Sequence, residues 1–183
     1  MHKNVDFKQI IEHLGLKPLP VEGGIFTQSY LATETIPQSA LPERYTMDKP
    51  LITAIYYLYT PDSNSFSAMH VLPTDEIYHF YLGDPVEMLF LHPDGKSERV
   101  VLGQDILNGQ KVQHVAPRGV WHGSHMLAGG KFALAGTTMA PGFTIDDYLG
   151  GDRDDLIAQF PHEAELITRL TRPDEPLQMP DNH

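Results

Sequence analysis

Cysteine is absent from this sequence of 183 residues, so a disulfide framework and thiolate chemistry are excluded. Positive charge is scarce. Thirteen Lys and Arg stand against 24 Asp and Glu, a formal net charge of -11, which argues against a nucleic-acid backbone or an anionic membrane surface as the main partner. No apolar run is long enough to span a bilayer. The opening "MHKNVDFKQIIEHLGLKPLP" lacks the basic start, apolar stretch and small-residue cleavage site of a secretory leader, and cytoplasmic residence is the default expectation. Internal repeats, low-complexity tracts and linkers are also missing. One domain over 1–183 is therefore expected, with its core at about 21–172 and a frayed tail at 173–183.

What is present is mostly β pattern. Phe7, Ile10, Ile11 and Leu14 recur at helical spacing between Asp6 as cap and Gly15 as stop, which predicts a short amphipathic helix. From Gly24 to Met139 short β-branched and aromatic runs alternate with turn residues, the pattern of an antiparallel sandwich or barrel. "HPDGKS" and "ILNGQ" each predict a hairpin between neighbouring strands. The segment "TETIPQSALPERYTMDKP", with three prolines, predicts a long loop placed to act as a lid. After Gly142 the pattern turns helical, with Asp154 as a cap and Leu166, Ile167 and Leu170 on one face.

The chemistry concentrates in "FSAMHVLPTDEIYHFYLGD" and "PRGVWHGSH". An open metal site needs at least three protein ligands, and two imidazoles with one carboxylate suffice. His70 and Glu76 flank a short loop containing Pro73, and His122 follows a Pro-Gly turn; a barrel can bring the three together. Strand alternation puts Tyr78 and Phe80 on the face of Glu76 and His79 on the other, as a packing or interface residue and not a ligand. The loop breaks that parity for His70. The plainer readings are a structural His70–Glu76 hydrogen bond, His122 as a turn residue beside Trp121, His114 and His125 as surface or packing groups, and "EGG" at 22–24 as a tight turn.

These residues resemble the cupin motifs. His70, Glu76 and Gly83 match the first motif, and Pro117, Gly119 and His122 match the second. More narrowly, "VEGGIFTQSY", "TAIYYLYT", "TDEIYHFYLGDP" and "GTTMAPGFTIDDYL" are similar to an uncharacterised family of small bacterial and yeast cupin-like proteins. The resemblance implies a mainly β fold, a double-stranded β-helix or jelly roll with a short N-terminal helix and C-terminal helices. It also implies a barrel pocket lined by His70, Glu76, Tyr78, Phe80 and His122 that takes a small-molecule ligand. Metal-binding cupins usually carry a further histidine where this chain has Ala68, and an asparagine where it has Met126. His70, Glu76 and His122 are thus expected to hold Zn, Mn or Fe weakly, with low occupancy.

Three classes of function stay open: a metal-assisted enzyme, a non-catalytic binding protein, and a metal-free epimerase or isomerase. Cupin-fold epimerases acting on nucleotide-linked sugars use histidine as base and tyrosine as acid, and His70 with Tyr78 are the matching catalytic candidates. The strand "TAIYYLYT" is apolar on both faces, which calls for a cover on its second face, and a homodimer is the expected one.

Overall fold

The computed structural model describes residues 6–180. Its strands are β1 (Lys17–Pro18), β2 (Ile25–Leu31), β3 (Thr35–Ile36), β4 (Lys49–Pro50), β5 (Thr53–Tyr59), β6 (Phe66–Val71), β7 (Glu76–Gly83), β8 (Val86–Leu91), β9 (Ser97–Leu102), β10 (Gln113–Ala116), β11 (Trp121–Met126), β12 (Ala133–Met139) and β13 (Leu149–Gly150). The helices are α1 (Phe7–Leu14), α2 (Arg153–Gln159) and α3 (Ala164–Arg169). Six strands pair in the order β1-β2-β5-β12-β7-β10, five in the order β13-β6-β11-β8-β9, and β3 pairs with β4 alone. Every strand pairing within the two large sheets is antiparallel. The two sheets face each other over a core in which Tyr57, Tyr59, Tyr78 and Phe80 of the larger meet Val86, Met88 and Phe90 of the smaller. This is the antiparallel sandwich that the alternating runs predict, in the jelly-roll form that the resemblance implies. None of the described helices is long and apolar enough to cross a membrane.

Two more apolar layers cover the outer faces. Phe66, Ala68, Met69, Leu89 and Leu91 of the smaller sheet pack against Leu156, Phe160, Leu166, Ile167 and Leu170 of the C-terminal helices. On the larger sheet, Leu58, Leu134, Tyr56 and Leu82 pack against Phe7, Ile10, Ile11 and Leu14 of α1. The N-terminal helix itself is therefore a cover for the second face of "TAIYYLYT".

Several local expectations need correction. Asp152, not Asp154, caps α2, accepting from the amides of Asp154 and Asp155, because a cap must precede the first helical residue. "ILNGQ" forms a 3-10 turn carrying the chain from β9 in one sheet to β10 in the other, so it closes no hairpin. The tail is not frayed over its described part: Gly150 donates its amide to the Leu177 carbonyl at 2.7 Å, and Met179 packs against the central core. The proline-rich segment contains the short β3–β4 pair and is pinned at two points. Buried Tyr45 shares a hydrogen bond with Thr74 at 2.7 Å, and buried Lys49 pairs with Asp147 at 2.5 Å and also donates to Thr144.

Candidate metal centre and cavity

The loop at 72–75 carries the chain from β6 in the smaller sheet to β7 in the larger, which is why alternation along one strand fails to place His70. Register does the rest. His70 and His122 are direct cross-strand partners on β6 and β11, and their ring centroids lie 4.2 Å apart. Glu76 opens the facing strand. Its Oε2 lies 3.0 Å from His122 Nε2 and 3.8 Å from His70 Nε2, and one ligand atom from each residue falls within 4.8 Å of the others. All three side chains are buried.

Each ring is fixed from behind by one local device. His70 Nδ1 meets the Ala68 carbonyl at 2.7 Å and His122 Nδ1 meets the Val120 carbonyl at 3.1 Å, in both cases two residues back along the chain. Bonding at Nδ1 turns each Nε2 toward Glu76, the orientation that a ligating imidazole needs.

Electrostatics couple the group. Burial opposes charge on His70, but the carboxylates of Glu22 and Glu76 outweigh it and push this imidazole up to about 9. Burial and the charge of His70 push His122 down. For Glu76, burial is outweighed by the hydrogen bonds of the two imidazoles, which hold its carboxyl well below the usual carboxylate range.

A cavity of about 820 Å³ opens beside these residues, within the size range of small-molecule sites. His70 and Glu76 lie on its wall. The other three expected pocket residues do not: Tyr78 and Phe80 project from the predicted face of β7 into the packed aromatic core, and His122 stands behind Glu76 with Tyr78 edge-on to it at 5.9 Å. The barrel interior at that level is filled by side chains, so facing inward is not the same as facing the cavity.

Two functional groups escaped the sequence reading. Glu22 reaches the cavity wall from the turn before β2, with Oε1 accepting from Ser67 Oγ at 2.7 Å. That turn holds Val21 at φ 65°, left-handed backbone for a β-branched residue at a cost of about 1–3 kcal/mol. Burial, assisted by Glu76, raises the Glu22 carboxyl above its ordinary range. The second group is Tyr148, whose ring stacks on His70 with centroids 5.2 Å apart and whose hydroxyl is buried without a hydrogen-bond partner among the described residues. The glycines after Glu22 serve packing: Gly23 has φ 93°, and a Cβ there would meet the Phe66 carbonyl at 2.7 Å.

The position of Ala68 is also informative. Between Ser67↔Ser124 and His70↔His122 three steps on β6 face two on β11, a β-bulge. Ala68 packs in the layer shared with the C-terminal helices, while Ser67 turns to Glu22. The ligand missing from the motif is thus moved off the cavity side as well as replaced. Of the remaining histidines, His79 stacks on Tyr81, and buried His125 faces Glu87 at 3.2 Å.

Two facing antiparallel sheets with a histidine, glutamate and histidine gathered between them define a protein of the cupin class. The chain belongs to the family described as Cupin superfamily (DUF985), whose sequence profile matches residues 8–149. It is 32% identical over 99 residues to the Saccharomyces cerevisiae "Uncharacterized protein YML079W", a match spanning 52% of this chain and 48% of the yeast protein. In structure it is similar to protein SO0799 from Shewanella oneidensis, with TM-score 0.80 and 28% identity over 93% of this chain and 99% of that one. A hypothetical protein from Leishmania major shares the fold at TM-score 0.77 and 24% identity, covering 90% of this chain and 97% of its own. The Bacillus subtilis oxalate decarboxylase shares the fold alone, at TM-score 0.51 and 13% identity over 91% of this chain and 41% of that one.

Proposed function

We propose that the protein binds a divalent metal ion through His70, Glu76 and His122 and acts on a small molecule held in the adjoining cavity. One observation carries the reading: all four imidazole nitrogens of His70 and His122 face oxygen acceptors, two backbone carbonyls and the shared Glu76 Oε2. Four N–H groups would require both rings to be charged, and the charge on His70 disfavours a second one on His122. A cation held by His70, His122 and Glu76 would remove the need for a proton on either Nε2 and leave each Nδ1–H to its backbone carbonyl. Two imidazoles and a carboxylate suit Fe(II), Mn(II) or Zn(II); His70, Glu76 and His122 would hold the ion with positions left open, and it would supply Lewis acidity toward a substrate oxygen. With three ligands the affinity should be weak, and the protein isolated without added metal should carry less than one ion per chain.

The test is metal analysis of protein purified without chelator, followed by titration with Zn(II). One ion per chain on titration is expected, with affinity lowered at least about tenfold by Glu76→Gln. Equal affinity in that variant would refute ligation by Glu76. A metal-free acid–base reading has one specific support, Tyr148 stacked on the charged His70, and Tyr148 then takes the place of Tyr78 as the proton donor. Absence of any Zn(II) binding on titration would favour it. For assembly we propose a homodimer, with Ile106, Leu107, Val112 and Val115 exposed on and beside β10, an edge strand of the larger sheet, as the surface for the second copy.

A further inference from the structure

Chemistry around the cavity narrows what it takes. Its wall is largely apolar, with Phe26, Leu31, Ile55, Met139 and Phe143 among the lining residues. Of the charged side chains, two carboxylates, Glu22 and Glu76, reach it beside the His70 imidazole that faces Glu76, whereas Lys17 is the one lysine or arginine among the described lining residues and sits exposed on the short edge strand β1. Lys49, close by, is buried and committed to Asp147 and Thr144. A phosphate or a free carboxylate would therefore find no guanidinium or ammonium deep in the cavity to replace its hydration.

Two polar groups of the cavity wall near His70 stand without full partners. Glu22 is held by one oxygen on Ser67, and by its carbonyl on the amide of Ala68 at 2.9 Å, while no described residue bonds its second carboxylate oxygen. Tyr148 lies flat on the His70 ring and lines the cavity, yet its buried hydroxyl bonds to nothing among the described residues. A buried hydroxyl is seldom left so, and in a residue that lines a cavity it points to a polar partner brought by a molecule that enters there.

We infer that the cavity takes an uncharged or cationic small molecule with a mostly apolar body, its polar end held between Glu22 and Tyr148 beside the His70–Glu76–His122 group. This rests on the small-molecule reading above and gives it a ligand class. It also disfavours a nucleotide-linked sugar, whose diphosphate would find, deep in the cavity, only the His70 imidazolium, already faced by the Glu76 carboxylate.

The experiment uses the full chain, freed of metal with chelator, and three probes on one frame: 4-phenylbutanol, 4-phenylbutylamine and 4-phenylbutyrate, followed by calorimetry or ligand-detected NMR at pH 7. The alcohol and the amine are expected to bind, and the carboxylate at least about tenfold more weakly. Tyr148→Phe, which keeps the stacked ring, should weaken the alcohol about three- to tenfold, and Glu22→Gln, which keeps the Ser67 contact, should weaken the amine about tenfold or more. Carboxylate binding as tight as that of the alcohol, no binding by any probe, or indifference of all probes to both substitutions would overturn the inference. Zn(II) titration of the same two variants separates the two readings. Neither residue belongs to the His70–Glu76–His122 group, so both should still take one Zn(II) per chain whatever the probes do: Tyr148→Phe, which keeps the stacked ring, with the parent affinity, and Glu22→Gln, which removes a carboxylate that favours the proton on His70, at least as tightly at pH 7.

Discussion

Raising the pH should weaken the metal-free protein and strengthen its hold on metal over one and the same interval. His70 is pushed from its ordinary 6.5 up to about 9 in the folded protein, with Glu22 and Glu76 overcoming the penalty of burial. A group whose folded pKa is raised gives stability that is fully present below its unfolded value and is lost as pH climbs through the folded one. The interval is therefore pH 6.5 to about 9. At about 1.4 kcal/mol for each pH unit between the two values, the loss comes to about 3 kcal/mol. Metal needs the His70 Nε2 lone pair, so each ion bound near neutral pH must displace about one proton, and affinity rises about tenfold per pH unit until His70 is deprotonated. His122 is pushed down and Glu76 is held far below, so neither adds a proton. Denaturant melts of chelated protein across this interval measure the first effect, and Zn(II) calorimetry in buffers of different ionisation enthalpy counts the proton. His70→Gln should flatten the stability profile. A flat profile in the parent protein, or proton release near zero at pH 7, would refute the assignment of the charge to His70.

Two further outcomes rest on packing. Ala68→His should not raise metal affinity, because the bulge turns residue 68 into the layer under the C-terminal helices; the buried imidazole should instead cost about 1–3 kcal/mol of stability in a denaturant melt. Light scattering at micromolar concentration should give twice the 20.5 kDa mass of the chain, and Leu107→Asp, at a residue 93% exposed, should reduce it to the monomer; a monomeric parent protein would end the dimer proposal.

The three candidate ligands were legible because a motif fixes residue types at short spacing: His70 and Glu76 bracket one loop, and His122 comes after one turn. The fold was legible from alternation and turn residues, since those act locally. Groups whose role depends on distant partners were not. Glu22 lies in a glycine-rich turn, and only the pairing of its backbone with Ala68 brings its carboxylate to His70. Lys49 and Asp147 are 98 positions apart, and nothing in either neighbourhood announces a buried ion pair. Tyr148 sits in "DDYL", where its stack on His70 depends on β13 pairing with β6. Tyr78 and Phe80 show the limit of parity reasoning, because alternation gives the face of a strand and leaves open whether core or cavity lies over it. The bulge at Ala68 escaped for a related reason, as one inserted residue reverses the facing of the rest of the strand without altering composition.

Met179 bears on how the protein should be handled. It lines the cavity from the C-terminal tail, and the tail is tied to β13 through the Leu177 carbonyl. A purification handle fused behind this segment would begin within a few residues of a cavity-lining side chain, and a polyhistidine one would carry its own metal ligands there. Metal counts and binding curves from protein tagged at that end would mix the handle with the site. Tags belong at the other terminus, or should be cleaved before any ion or probe is weighed.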